Sequence, residues 1–143
     1  MEIKLLINYL NMKLITYSDG GARGNPGPSA AGMVIKNEKG EILEAFGKYL
    51  GKQTNNYAEY MGLILSLEKV KELGATEVVC YLDSELVTKQ MKRIYKVKNP
   101  GLQKLFIEAY NLSQGFKKVE YKHIMREKNT EADAEVNKVL DNQ

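Results

Sequence analysis

Residues 13–28, Lys-Leu-Ile-Thr-Tyr-Ser-Asp-Gly-Gly-Ala-Arg-Gly-Asn-Pro-Gly-Pro, decide how the rest of the chain is read. Lys13 to Ser18 has the content of a strand, and the glycine and proline cluster from Gly20 to Pro28 ends it. Asp19 stands at the junction, in the loop that follows the apolar run. Ala30 to Lys36 and Ile42 to Leu50 are further strand-like runs, and Asn37-Glu38-Lys39-Gly40 between them has a hairpin-turn composition. An antiparallel meander of three strands follows.

Beyond the meander the spacing turns helical. From Asn56 to Leu73, Tyr57, Met61, Ile64, Leu65, Leu67 and Val70 form an apolar face, and Gly74 supplies the stop. Val78 to Leu82 reads as a short buried strand, Ser84 to Met91 as a helix, and Pro100 starts another helix carrying Leu102, Leu105, Phe106 and Ala109. Residues 118–125 form a last strand with Val119, Tyr121 and His123 on one face, and Thr130 to Leu140 a closing helix. The order β-β-β-α-β-α-α-β-α predicts an α/β fold: a five-stranded mixed sheet, three antiparallel strands then parallel βα units, flanked by helices. In such sheets ligands gather outside the carboxyl ends of the parallel strands, where Asp19 and Asp83 fall.

The 143 residues fit one domain with a real core. At 43% hydrophobic and 27% charged residues, with no apolar run near the ~18 a membrane span needs, a soluble chain without membrane association is expected. The single cysteine, Cys80, sits in an apolar run and reads as a buried small hydrophobe, which leaves no disulfide framework. No secretion signal is visible at the N-terminus, so the expected compartment is the cytoplasm and the expected state a monomer. Residues 1–12 read as an extension or a prolonged first strand, and 13–141 as the domain. Net charge is only +3, but Lys89, Lys92, Arg93, Lys96 and Lys98 fall in ten residues without an acid. A solvated helix face and a polyanion contact both fit that stretch, and Tyr95 adds a stacking surface.

Four acids carry the chemistry. Asp19 and Asp83 follow apolar runs (TYSDGG and VVCYLDSE), and Glu59 and Asp133 lie in the openings of helices (TNNYAEY and NTEADAE). Gathered at one spot they would repel by roughly 4 kcal/mol per close pair at an effective dielectric near 20, so such a site calls for cations. Each has a structural alternative: Asp19 as a turn residue, Glu59 in a capping box with Asn56, Asp83 capping the next helix, and Asp133 repeating the capping geometry after Thr130.

Taken together the surrounding words resemble type 1 ribonuclease H over residues 13–140. The resemblance rests on YSDGGARGNPGPSAAG, QTNNYAEY, YLDSELV and HIMREKNTEAD, in order, with 40, 24 and 50 residues between successive acids. It implies a ribonuclease H-like fold and an endoribonuclease that cuts the RNA strand of an RNA/DNA hybrid, leaving a 5′-phosphate and a 3′-hydroxyl. Asp19, Glu59, Asp83 and Asp133 would be catalytic metal ligands for two Mg²⁺, with Mn²⁺ the alternative, since oxygen ligands suit either ion. His123, ten residues before Asp133, matches a histidine placed to shuttle a proton or help release product. Its structural alternative is a partly buried strand residue.

Substrate contacts are implied at Gly20, Gly21, Asn25 and Asn56, with Lys52 and Thr54 resembling a DNA phosphate pocket and Asn55 beside them. Against this, the asparagines and Thr54 fit a turn and a helix cap. Two departures stand out. Gln90 to Pro100 leaves no room for the long basic handle of better-known bacterial members, which makes Lys89 to Lys98 a partial substitute, and Glu85 stands where an uncharged polar residue is usual. The rival readings are a hybrid-binding module without catalysis, and a 3′ exonuclease or junction resolvase on the same fold.

Overall fold

A computed structural model of the chain describes residues 2, 3 and 11–143. The elements are β1 (Lys13–Ala22), β2 (Gly27–Asn37), β3 (Ile42–Gln53), α1 (Asn55–Glu72), β4 (Glu77–Leu82), α2 (Glu85–Met91), α3 (Pro100–Ser113), β5 (Lys118–His123), a 3₁₀ turn (Arg126–Lys128) and α4 (Thr130–Asp141). The sheet order is β3-β2-β1-β4-β5. β1 and β3 flank β2 antiparallel, while β4 runs parallel to both β1 and β5, which is the mixed sheet expected. Whether residues 1–12 prolong the first strand falls mainly on residues outside those described; β1 itself begins at Lys13.

The first strand differs from the sequence reading. It continues past Ser18 to Ala22, and β2 begins at Gly27, so the reversal is confined to the residues between. Asp19 therefore lies inside a strand, paired with Gly32, instead of in a loop. The glycines do not break the strand here, and Gly20 lets a helix approach its backbone.

Helices pack on both faces. Met33 and Ile35 of β2 join Leu14, Val78, Cys80 and Leu82 in the main core with Leu63, Ile64 and Leu67 of α1 and Leu102, Leu105 and Ala109 of α3. On the opposite face Ala30 meets Val136 and Leu140 of α4. The face expected for α1 is rotated: Tyr60 and Leu63 are buried, whereas Tyr57, Met61 and Leu65 are only partly so. A helix against a sheet and another helix buries more than one stripe, which a single-stripe reading misses.

The caps also differ. Thr54, two residues before the helix start read from the sequence, accepts the Tyr57 amide through its hydroxyl, so Asn56 and Glu59 form no capping box. Ser84, not Asp83, caps α2 by accepting from Val87. Gly74 closes α1 in the left-handed region, φ +93°, as its position suggested. Cys80 is fully buried and its thiol is pushed up to about 12 by desolvation.

Candidate active site

Backbone contacts decide where the acids meet. Gly20 follows Asp19 on β1, and a side chain there would put its Cβ 2.1 Å from the Ala58 carbonyl carbon and 2.4 Å from the Glu59 nitrogen. From the other side, a Cβ on Gly62 would lie 2.7 Å from the Asp19 carbonyl oxygen. α1 thus lies against β1 with no side chain between them, which carries Glu59 to Asp19. Gly32, the partner of Asp19 across the ladder, does the same for α4: a Cβ there would stand 2.6 Å from the Ala132 carbonyl oxygen, next to Asp133 in the chain. Asp83 arrives at the carboxyl end of β4, beside β1.

One carboxylate oxygen from each of Asp19, Glu59 and Asp83 lies within 4.8 Å of the others. They open on a cavity of about 440 Å³ whose wall also includes Asp133, Gly20, Gly21, Asn55 and Asn56. Asp133 is therefore on the same cavity but outside the tight triad; its Oδ2 accepts from Asn137 Nδ2 at 3.2 Å.

Electrostatics make this cluster unhappy without a cation. Burial, then the Asp83 charge, pushes Asp19 up to about 7, although the Gly20 amide donates to its Oδ1 at 2.9 Å. Glu59 is raised well above its usual range by burial first and by Asp19 and Asp83 next. Its Oε2 is buried without a partner among the described residues, a cost of about 1–3 kcal/mol in a protein interior. Crowded carboxylates that repel one another, with the Glu59 Oε2 left unpartnered, fit a bound divalent cation.

A pH prediction follows. Unfolded, Asp19 titrates near the ordinary value of 3.8; folded, near 7. Across that window the folded state holds the extra proton, so metal-free stability is lost as pH rises from about 4 to 7. Melting in chelator should show Asp19→Asn gaining on the native chain as pH goes from 5 to 8. Equal curves would place the Asp19 proton elsewhere.

Asn129 anchors one acid. Its buried Nδ2 donates to the Ser18 carbonyl at 2.8 Å and to Asp83 Oδ2 at 3.0 Å, joining the middle of β1, the turn after β4 and the entry to α4. The sequence reading missed it, because an asparagine before Thr130 looks like a cap; here it forms no side-chain cap bond. Arg126, on the cavity wall, was missed as well, since nothing local distinguishes it from a surface arginine.

His123 ends β5, opposite Leu82, with its Nε2 3.2 Å from the Asp83 carbonyl oxygen. Val119 and Tyr121 pack against the core, but His123 is exposed, so the partly buried strand role does not apply. Of the expected substrate contacts, Gly20, Gly21, Asn55 and Asn56 line the cavity. Asn25 accepts the Asn55 amide at 3.0 Å, and Asn55 accepts the Ala22 amide at 2.8 Å, so these two tie the β1–β2 loop to the start of α1. Thr54 is the helix cap and Lys52 is exposed on β3. Within the basic stretch, Lys89 pairs with Glu85 at 2.7 Å, which holds the Glu85 carboxyl below its usual range, and Arg93 lies over Phe106 and Tyr110. Lys92, Lys96 and Lys98 are exposed.

Comparison with known proteins agrees in sequence and shape. A family model described as reverse transcriptase-like matches residues 17–139. A bifunctional protein of Mycobacterium tuberculosis is 41% identical over 131 residues, 91% of this chain but 36% of that relative. The solved N-terminal RNase H domain of the mycobacterial protein superposes with a TM-score of 0.89 at 40% identity, covering 92% of this chain and 95% of the domain. RNase H1 of Halobacterium salinarum gives 0.89 at 37% identity, covering 92% and 99%. An RNase H1 solved in complex with RNA/DNA hybrid gives 0.86 at 42% identity, covering 90% and 97%.

Proposed function

As the chain belongs to the ribonuclease H family, we propose that it is a metal-dependent endoribonuclease that hydrolyses the RNA strand of RNA/DNA hybrids, leaving 5′-phosphate and 3′-hydroxyl ends. The observation that carries this reading is the convergence of Asp19, Glu59 and Asp83 within 4.8 Å. These three would hold a Mg²⁺ or Mn²⁺ ion, and Asp133, on the same wall, would share in holding a second. Bound there, the ions supply a lowered pKa for the attacking water and charge stabilisation at the departing 3′ oxygen.

The chain's own groups do the rest. The Gly20 and Gly21 backbone and the Asn55 and Asn56 side chains present polar groups beside the acids, where the RNA strand and its 2′-hydroxyls would lie. Asn25, bonded to the Asn55 amide, holds that edge in place. Lys52 and Thr54 would grip a DNA phosphate away from the cavity. His123, exposed beside the Asp83 carbonyl, would exchange a proton with solvent and pass it toward the departing oxygen, a reading its exposure supports.

A labelled 12-mer RNA/DNA hybrid tests the proposal directly, run beside single-stranded DNA and double-stranded RNA, with and without Mg²⁺. Internal cuts in the hybrid's RNA strand that need the metal are expected. Binding without cleavage would make the chain a hybrid-binding module, and end-directed digestion of DNA an exonuclease. His123→Ala is expected to slow turnover about tenfold or more, with a changed pH–rate profile. Full turnover from pH 6 to 9 would remove the histidine from the mechanism.

A further inference from the structure

We propose that Asn129 is a positioning residue, whose amide fixes the Asp83 carboxylate in the orientation that completes the cation site. The inference rests on the reading of Asp19, Glu59 and Asp83 as metal ligands, and concerns a residue that contacts only the last of them.

Three observations carry it. Asn129 is 1% exposed, and one nitrogen serves two acceptors, the Ser18 carbonyl at 2.8 Å and Asp83 Oδ2 at 3.0 Å. Only a side chain with two donors on one atom can do this. Serine has one, and aspartate would set a like charge against Asp83. The alternative amide orientation is excluded, because it would turn a carbonyl oxygen toward both acceptors.

The Asp83 carboxylate is also the one that needs fixing. Asp19 is held by the Gly20 amide and the ladder with β2, and Glu59 by burial within α1. Asp83 lies past the end of β4 and is only half-buried, so without a tether its side chain is free to rotate into solvent. Asn129 holds Oδ2, which restrains the rotation of the whole carboxylate toward the shared centre. The Asn129 Oδ1, in turn, is buried without a partner among the described residues. A residue kept only for stability would not leave that oxygen unpaired, whereas one kept for its two donors must put the oxygen somewhere.

The test is calorimetric titration of Mn²⁺ into the substrate-free protein, for the native chain, Asn129→Ala, Asp83→Asn and the double variant, with melting to verify folding. Asn129→Ala should weaken Mn²⁺ binding about 10- to 100-fold, the range seen when a ligand's supporting hydrogen bond is removed. Its hybrid KM should stay within about twofold at saturating Mn²⁺, where a positioning role predicts recovery of kcat. On the Asp83→Asn background the same change should add little to the loss of Mn²⁺ affinity, because the Asn129 amide acts on the ion only through the Asp83 carboxylate, which that variant lacks. Asn129→Ser keeps one donor in a smaller volume and should fall between; it carries the test if the alanine variant does not fold. Unchanged Mn²⁺ affinity in a folded Asn129 variant, or fully additive losses in the double variant, would overturn the positioning role while leaving the metal site intact. A native chain that binds no Mn²⁺ would overturn both.

Discussion

Asp83→Asn is expected to lower hybrid cleavage about a thousandfold or more while leaving the metal-free protein folded and at least as stable as the native chain. The change is nearly isosteric, and the new side chain's oxygen can still accept from Asn129 Nδ2, now 3.0 Å from Asp83 Oδ2. What disappears is a negative charge in the triad. Losing several kcal/mol of metal-assisted transition-state stabilisation corresponds to about three decades in rate, at 1.36 kcal/mol per decade. Stability moves the other way, because the Asp83 charge is one of the causes raising Asp19 and Glu59. Single-turnover cleavage of the hybrid and a chelator melt on one preparation read both effects. A variant that still cleaves at a tenth of the native rate would take Asp83 out of the metal assignment.

The second large effect concerns two neighbouring glycines with opposite outcomes. Gly20→Ala puts a methyl 2.1 Å from the Ala58 carbonyl carbon, a contact that neither side can relieve because both are backbone. β1 and α1 must separate, at a cost of about 3 kcal/mol or more, which for a domain of this size lowers Tm by about 10 °C. Cleavage should fall further than stability alone explains, since the same separation moves Glu59 from Asp19. Gly21→Ala, by contrast, meets only the Val136 side chain at 3.9 Å, ordinary van der Waals contact, and should melt within about 1 °C of the native chain. If the two variants melt alike, the close approach of α1 to β1 is not what positions the acids.

That pair also shows where sequence reading stopped. Periodicity and turn chemistry are local, and among the described residues they found the five strands and four α-helices, the hairpin at Asn37 to Gly40 and the stop at Gly74, but not the 3₁₀ turn at Arg126–Lys128. The same local rules read Gly20 and Gly21 as the end of a strand, because a glycine whose missing side chain lets a helix lie against the strand, with an added Cβ only 2.1 Å from the Ala58 carbonyl carbon, looks in sequence like one that breaks a ladder. The four acids were legible only as a set in matching words, not from any one position. Asn129 was not legible at all: its partners, Ser18 and Asp83, are 111 and 46 residues away in the chain. Thr54 fits both a phosphate contact and a helix cap in sequence, and the structure gives it a cap bond; a hydroxyl at a helix start serves either use.

Cys80 has a practical consequence. It is the chain's single cysteine, it is fully buried, and its thiol is held near 12, so maleimide chemistry at neutral pH should pass it by. A cysteine introduced at exposed Lys98 would then be the one reactive position on the folded protein, giving a fluorophore attachment point without first engineering away a native thiol.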